Sequence, residues 1–131
     1  MGVTKMKNEF KIKKCIKCGA TVEVLQDCTC ENCGIKCCGE EMVTMTPNTV
    51  EASAEKHIPT YQVIGNYIVA TVNHVMEDDH YIEYIALSSD GITAKKYLEI
   101  GKTAQAVFPY VKGSKLYGYC NKHGLWEITV E

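Results

Sequence analysis

The second half of the chain, from Pro59 onward, has the alternating hydrophobic and polar pattern of short β-strands. Apolar and β-branched residues recur in runs of five to eight, separated by Gly, Asn, Asp and Ser. Short strands with turn residues between them favour an antiparallel β-sandwich, and no segment shows the period of an amphipathic helix. The predicted strands are residues 60–64, 67–72, 81–87, 92–98, 104–111, 115–120 and 125–130.

The N-terminal part of the chain has a different pattern, because seven of the eight cysteines lie between residues 15 and 38. A segment this short cannot bury enough apolar surface to fold alone, whereas metal ligation can supply the missing free energy. We therefore predict an all-β protein of two parts. They are a small tetracysteine metal domain at residues 1–42 and, after a linker at 43–56, a β-sandwich domain at 57–131.

Composition narrows the possible partners and the compartment. The chain has 131 residues, 46% hydrophobic and 23% charged, which is typical of a globular protein. All 14 basic residues are lysine and the net charge is −2, so the guanidinium contacts that read bases are missing and no nucleic acid partner is expected. With no apolar run of membrane-spanning length and no signal core, we predict a cytoplasmic protein without membrane contact. Clustered cysteines in a reducing compartment favour metal binding over disulfides.

All four histidines lie between residues 57 and 123, as does the cysteine outside the N-terminal cluster. A single histidine is usually an ordinary core or surface residue, so the prediction depends on the whole set. Neutral imidazole and thiolate bind borderline-soft transition ions, and five ligands exceed the four of a closed structural zinc site. We therefore predict one six-coordinate ion with an open position for chemistry. Its ligands would be His57, His74, His80, Cys120 and His123.

The N-terminal cysteines predict a second metal site. Cys15-x-x-Cys18-Gly19 is the metal knuckle, in which two thiolates reach one ion while the glycine lets the backbone turn. Spacing alone leaves the other two ligands open, and a tetrathiolate site accepts iron or zinc. The candidates are the C-x-x-C pair Cys30 and Cys33, or the adjacent pair Cys37 and Cys38.

Two other classes of protein fit part of this pattern. A cupredoxin-like electron carrier also combines a β-sandwich with a cysteine and histidine near the last strands, here Cys120 and His123. Blue-copper sites usually add an axial methionine after the last histidine, but residues 124–131 contain none and two histidines would be unused. A zinc-stapled binding module without catalysis is the third class, and metal analysis would distinguish it.

Three motifs in order make the chain resemble the desulfoferrodoxins, the superoxide reductases of anaerobes. The N-terminal C-x-x-C-G and Cys37-Cys38-Gly39 are similar to that family's desulforedoxin-like domain, so the resemblance is to the two-centre type and spans nearly the whole chain. The motifs are Glu55-Lys56-His57-Ile58-Pro59, then His74-Val75-Met76-Glu77 with His80-Tyr81-Ile82-Glu83, then Tyr119-Cys120-Asn121-Lys122-His123-Gly124-Leu125-Trp126.

The resemblance implies one-electron reduction of superoxide to hydrogen peroxide at a mononuclear non-haem iron. Four histidines would lie in the equatorial plane with Cys120 axial, and the opposite position would be vacant in the ferrous state. Lys56 would stand beside that position, and Glu55 would close it after oxidation. The resemblance also implies an immunoglobulin-like seven-stranded sandwich, a homodimer, a rubredoxin-like electron donor and a second, rubredoxin-type iron. The ligands of that iron would be Cys15, Cys18, Cys37 and Cys38.

The sequence departs from the family pattern at several positions. Val75 stands where the family often has proline, and Tyr81 and Tyr84 stand where tryptophan is frequent, but no ligand is lost. Three further cysteines, Cys28, Cys30 and Cys33, lengthen the loop before Cys37. Two ligands of the small site are therefore left undecided by the sequence.

Overall fold

The computed structural model describes residues 10–49, 52–89 and 91–131, and these are nearly all in strands and turns. Within those ranges the helical element is one 3-10 turn, Ala54–Lys56. A helix of the length and apolarity needed to cross a membrane does not occur in them. The predicted all-β class is confirmed. The chain divides into two compact units, with the division between Met45 and Thr46.

The first unit is built from very short strands. In chain order they are β1 (Ile12–Lys14), β2 (Thr21–Glu23), β3 (Lys36–Cys37), β4 (Glu40–Glu41) and β5 (Val43–Thr44). Strands β2, β1 and β5 form an antiparallel sheet in that order, and β3 and β4 form a hairpin. Strand β5 falls within the predicted linker 43–56. Among residues 10–45, the buried apolar side chains are few and include Phe10, Ile12, Val24 and Met42.

The second unit contains seven strands among the described residues, as predicted, in two antiparallel sheets. They are β6 (Thr60–Ile64), β7 (Tyr67–Thr71), β8 (Ile82–Ser89), β9 (Ile92–Tyr97), β10 (Gln105–Pro109), β11 (Lys115–Cys120) and β12 (Gly124–Thr129). One sheet has the order β10-β7-β6 and the other β12-β11-β8-β9. Alternate residues of β7 and β10 are buried, among them Ile68, Ala70, Ala106 and Phe108, and these pack in one core with residues of β8 and β11.

A β-bulge lies at the end of the β8–β11 ladder that contains Cys120. Tyr119 pairs with Tyr84, but Cys120 pairs with Ile82, so the ladder skips Glu83. Without the extra residue, Ile82 and Tyr84 would point to the same face of the sheet. With it, Ile82 enters the core near Cys120, while Tyr84 stacks on Tyr119 with ring centroids 5.5 Å apart. The bulge therefore changes which side chains of β8 line the core.

Candidate metal centre

Three segments of the second unit converge on one point. His57 follows the 3-10 turn, and His74 and His80 lie in the connection between β7 and β8. Cys120 ends β11, and His123 lies in the turn between β11 and β12. One potential ligand atom from each of these five residues lies within 4.8 Å of all the others. The structure thus brings together the five residues that the sequence singles out.

The four imidazole rings are arranged in a square. Neighbouring ring centroids are 4.8 Å apart for His57 and His74, and 4.5 Å for His74 and His80. The other two sides are 5.1 Å, from His80 to His123, and 4.8 Å, from His123 to His57. The rings of His57 and His80, 6.5 Å apart, are at opposite corners.

The distances between ligand atoms suit one transition ion. His57 Nε2 lies 3.1 Å from His123 Nδ1, and His74 Nε2 lies 3.1 Å from His80 Nε2. Two nitrogen ligands at right angles, with bonds of about 2.1 Å, lie about 3.0 Å apart. The Cys120 sulfur is 3.5 Å from His74 Nε2 and 3.7 Å from His123 Nδ1, which occupy opposite corners. The sulfur therefore lies beside the square, and the set can hold an ion between four nitrogens and one thiolate.

Hydrogen bonds and burial hold these groups in the form that binds metal. The Nδ1–H of His57 donates to the Ser53 carbonyl at 2.7 Å, which leaves Nε2 with its lone pair. The His74 Nδ1–H donates to the Val75 carbonyl in the same way. Burial lowers the pKa of His74, so this ring is neutral near pH 7. Burial also raises the pKa of the Cys120 thiol, so its thiolate needs a cation beside it.

Asn121 joins two of the converging segments, a role that the sequence analysis missed. Its Oδ1 accepts from the Tyr81 N–H at 2.9 Å, and its Nδ2 donates to the Asp79 carbonyl at 3.0 Å. The Asn121 N–H also donates to the Tyr81 carbonyl at 3.1 Å. These bonds fix the segment that carries His80 against the turn that carries Cys120. In the sequence, Asn121 appeared only as one position of the motif that contains Cys120 and His123.

Trp126 supports two of the histidines and was also missed from sequence as a site residue. Its indole stacks on the His57 ring, with centroids 5.0 Å apart and planes at 23°. Its Nε1–H donates to the His123 carbonyl at 3.1 Å, which satisfies the indole of a side chain only 3% exposed. The preceding Gly124 has a φ of +80°, which closes the hairpin after His123.

A cavity of about 560 Å³ opens beside the histidines. Lys56 and Glu77 bring charged groups to its lining, and both side chains are exposed. Glu55 lies on the same 3-10 turn as Lys56 and is exposed. Three of the four histidines face the cavity, so a small molecule has access to the square. The full lining is Lys56, His57, Asn73, His74, Val75, Glu77 and His80.

Four cysteines of the first unit also form a group, with sulfurs within 4.8 Å of one another: Cys15, Cys18, Cys37 and Cys38. The Gly19 N–H donates to the Cys15 carbonyl at 2.8 Å, and the φ of Gly19 is +81°, as a knuckle requires. The backbone N–H of Cys18 lowers the pKa of Cys15 to about 7. The Cys18 side chain raises the pKa of Cys37 to about 12. Thiols this close do not all ionise unless a cation joins them.

The extra cysteines are arranged differently. Cys28 and Cys33 form a disulfide, and Cys30 is a free, exposed thiol. Neither Cys30 nor Cys33, the alternative pair for the second metal, belongs to the four-sulfur group found among the described residues.

The fold and the two clusters define a β-sandwich protein with two metal-binding groups of side chains. The profile of the Desulfoferrodoxin family matches residues 49–129. The desulfoferrodoxin of Nitratidesulfovibrio vulgaris is 39% identical over 127 residues, which cover 93% of this chain and 98% of that protein. The desulfoferrodoxin of Clostridium acetobutylicum is 32% identical over 128 residues, 95% of this chain and 100% of the relative. This chain belongs to the desulfoferrodoxin family.

The fold is also that of a solved structure. The superoxide reductase from Treponema pallidum matches with a TM-score of 0.67 and 23% sequence identity. The match covers 90% of this chain and 98% of the Treponema chain. At 23% identity, this match shows a shared fold and carries no statement about activity.

Proposed function

We propose that this chain is an iron superoxide reductase, in which one electron and two protons convert each superoxide into hydrogen peroxide. The observation that carries the proposal is the square of four imidazoles with one thiolate beside it, next to an accessible cavity. Membership of the desulfoferrodoxin family supports the same activity.

The donor set favours iron with five protein ligands: His57, His74, His80, Cys120 and His123. Bound ferrous iron would supply the electron and one open coordination position. A cupredoxin-like carrier is less well supported, because it would use two histidines whereas all four lie within 4.8 Å of the sulfur or of one another. A closed zinc site would likewise use four of the five ligands.

The side chains around the cavity would attract and admit a small anion. Lys56 is the cation in the cavity lining, and its ammonium raises the local concentration of superoxide. Because the cavity is open to solvent, water can supply the two protons without a buried acid. Glu55, on the same turn, would be the sixth ligand after the electron has left. Catalytic roles are thus proposed for Lys56 and Glu55.

The remaining parts of the proposal concern the second site and the partners. Cys15, Cys18, Cys37 and Cys38 would hold a second iron, with zinc as the alternative, since a tetrathiolate site accepts either. We expect a rubredoxin-like protein to return the electron, a homodimer as the assembly, and the cytoplasm as the compartment.

The test is a single-turnover measurement on anaerobically prepared, fully reduced protein of known iron content. Superoxide is added in substoichiometric steps, and iron oxidation, peroxide and oxygen are measured together. We expect one iron oxidised and one peroxide formed for each superoxide, without oxygen release. Oxygen release at half the amount of superoxide consumed would indicate a dismutase, and two zinc ions without iron would indicate the binding module.

Replacing Lys56 tests the electrostatic role. Lys56→Ala should lower the second-order rate constant for superoxide by about tenfold at low ionic strength, with iron content unchanged. Added salt should slow the parent protein more than the variant, because it screens the lysine charge. Lys56→Arg is the matched control, since it keeps the charge. Equal rates and equal salt dependence in all three proteins would contradict the role.

A further inference from the structure

The cysteines that the proposed function does not use lie together in the loop between β2 and β3. Cys28 and Cys33 are joined by a disulfide with Cα atoms 6.4 Å apart, within the range of natural disulfides. Cys30 lies inside the ring that this bond closes and is exposed. The Cys33 sulfur is 2.8 Å from the Cys30 carbonyl oxygen, so the third cysteine is adjacent to the bond.

The first end of this ring is fixed to the sheet. The Asp27 carboxylate accepts from the Cys28 N–H at 2.9 Å and pairs with Lys11 and Lys13, each at 3.3 Å. The Cys28 amide and the two lysines lower the pKa of Asp27, so this anchor is charged near neutral pH. The start of the loop closed by the Cys28–Cys33 disulfide is therefore held beside β1 by Asp27.

The chemistry of the three cysteines is that of a thiol–disulfide couple. The six cysteines outside the Cys28–Cys33 bond, Cys30 among them, are free, so the protein suits a compartment in which thiols persist. In such compartments disulfides are usually transient and belong to catalytic or redox-sensing sites. The sequence Cys28-x-Cys30-x-x-Cys33 also supplies a third thiol for exchange within the ring.

We propose that Cys28, Cys30 and Cys33 form a second redox site, which reduces hydrogen peroxide to water and is itself restored by a dithiol reductant. The proposal rests on the proposed function only for the source of the peroxide, because hydrogen peroxide is the product expected there.

The oxidation balances with two thiols for each peroxide. Cys28 is exposed whereas Cys33 is half-buried, so the Cys28 thiolate attacks one peroxide oxygen. The O–O bond breaks, one oxygen stays on sulfur as sulfenic acid, and the other leaves as water after taking a proton. The Cys33 thiol then attacks the Cys28 sulfur and releases the second water. The product is the disulfide of the structure.

The return to the dithiol uses the third cysteine. The Cys30 thiolate attacks the Cys33 sulfur, forming a Cys30–Cys33 bond and releasing Cys28 as a thiolate. An external dithiol attacks the exposed Cys30 sulfur, which frees Cys33. The second thiol of the reductant then closes its own disulfide and frees Cys30. Two electrons pass from the dithiol to the protein.

The test uses the full metal-loaded chain, reduced with a dithiol and freed of excess reagent under anaerobic conditions. One equivalent of hydrogen peroxide is added, the remaining thiols are alkylated, and peptides are mapped by mass spectrometry. We expect one disulfide per chain, between Cys28 and Cys33, with Cys30 alkylated. Alkylation of both Cys28 and Cys33 after peroxide would overturn the proposal, as would protection of Cys30 and Cys33 by bound metal.

Two serine variants separate the roles of Cys33 and Cys30. In Cys33→Ser, the sulfenic acid should accumulate on Cys28 and be trapped by dimedone. In Cys30→Ser, peroxide should form the same disulfide, but dithiothreitol should reopen it several-fold more slowly. Reopening at the parent rate would refute the exchange role of Cys30. Absence of the dimedone adduct would refute attack by Cys28.

The design also separates this site from the proposed superoxide reaction. Peroxide is added as a reagent, so disulfide formation does not depend on turnover at the histidine site. Cys28→Ser should consume superoxide at the parent rate. Normal superoxide consumption without peroxide-driven disulfide formation would overturn the second site alone. Disulfide formation without superoxide consumption would overturn the proposed function alone.

Discussion

The two metal-binding groups differ in what holds their ligands. The histidine site joins residues as distant as His57 and His123, 66 positions apart, and its cysteine is completely buried in the sandwich core. Of the four-cysteine group, Cys37 ends a strand of two residues and the other three lie in turns or loops, and two of the sulfurs, in Cys18 and Cys38, belong to exposed residues. The sandwich can therefore position its ligands before metal binds. In the first unit, a bound metal would contribute much of the folding free energy.

The largest difference between the two units should appear when the metal ions are removed from both sites. We expect the first unit to lose nearly all amide protection, because metal binding supplies on the order of 10 kcal/mol to small metal domains. The sandwich should keep protection in β7, β8 and β11. Hydrogen exchange with mass spectrometry of the metal-free and reloaded chains measures both units in one sample.

The matched comparison is a serine substitution in each site. Cys15→Ser should unfold the first unit even with metal present, whereas Cys120→Ser should leave the sandwich folded and remove metal from the histidine site. Protection of the first unit that survives metal removal would contradict the comparison, because it would mean that its apolar contacts suffice.

A smaller effect is expected when the Asn121 hydrogen bonds between two ligand segments are removed. Asn121→Ala removes the acceptor for the Tyr81 N–H and the donor to the Asp79 carbonyl. Loss of these bonds should destabilise the sandwich by about 1–3 kcal/mol. It should also weaken iron binding by about 10-fold to 100-fold, because the ligand segments are less well positioned. Denaturant titration and competition with a chelator measure the two effects.

Asn121→Asp is the control for this substitution, since it keeps the acceptor and removes the donor. Its effects should lie between those of the parent and of the alanine variant. Iron affinity equal to that of the parent in both variants would show that the Asn121 hydrogen bonds do not position the ligands.

The smallest effect should come from Trp126→Phe. Phenylalanine keeps an aromatic ring against His57 but cannot donate to the His123 carbonyl. We expect a loss of about 0.5–1.5 kcal/mol in stability and a small loss of iron affinity. Trp126→Leu, which also removes the stack, should cost more in both measurements. Equal results for the two variants would mean that the stack does not orient His57, and iron affinity equal to the parent's in Trp126→Phe would mean that the hydrogen bond does not orient His123.

Much of the fold could be predicted because each strand has its own local pattern. Alternation and turn residues predicted the seven strands of the second unit within a few residues, for example Lys115–Cys120 at its observed bounds. The metal-binding side chains could be chosen because few residue types bind transition ions, and these types are clustered in the sequence. Their meeting within 4.8 Å follows from the sheet connections rather than from any local pattern.

The supporting residues could not be predicted for the same reason. Asn121 contacts residues about 40 positions away, and an asparagine in a turn has many ordinary explanations. Trp126 lies in the predicted strand 125–130, but its stacking on His57 depends on how a distant segment packs. The pairing of Cys28 with Cys33 could not be predicted from spacing alone either, because three neighbouring cysteines allow several pairings.

The skipped residue in the β8 ladder limits how this protein can change length. Because Glu83 shifts the alternation of β8, deletion of one residue there would turn Ile82 away from the core and expose apolar surface beside Cys120. The same deletion beyond Ser89 would fall in the hairpin to β9 and leave that alternation intact. Natural or engineered length variation should therefore be tolerated at the far end of the β8–β9 hairpin and rejected at Glu83.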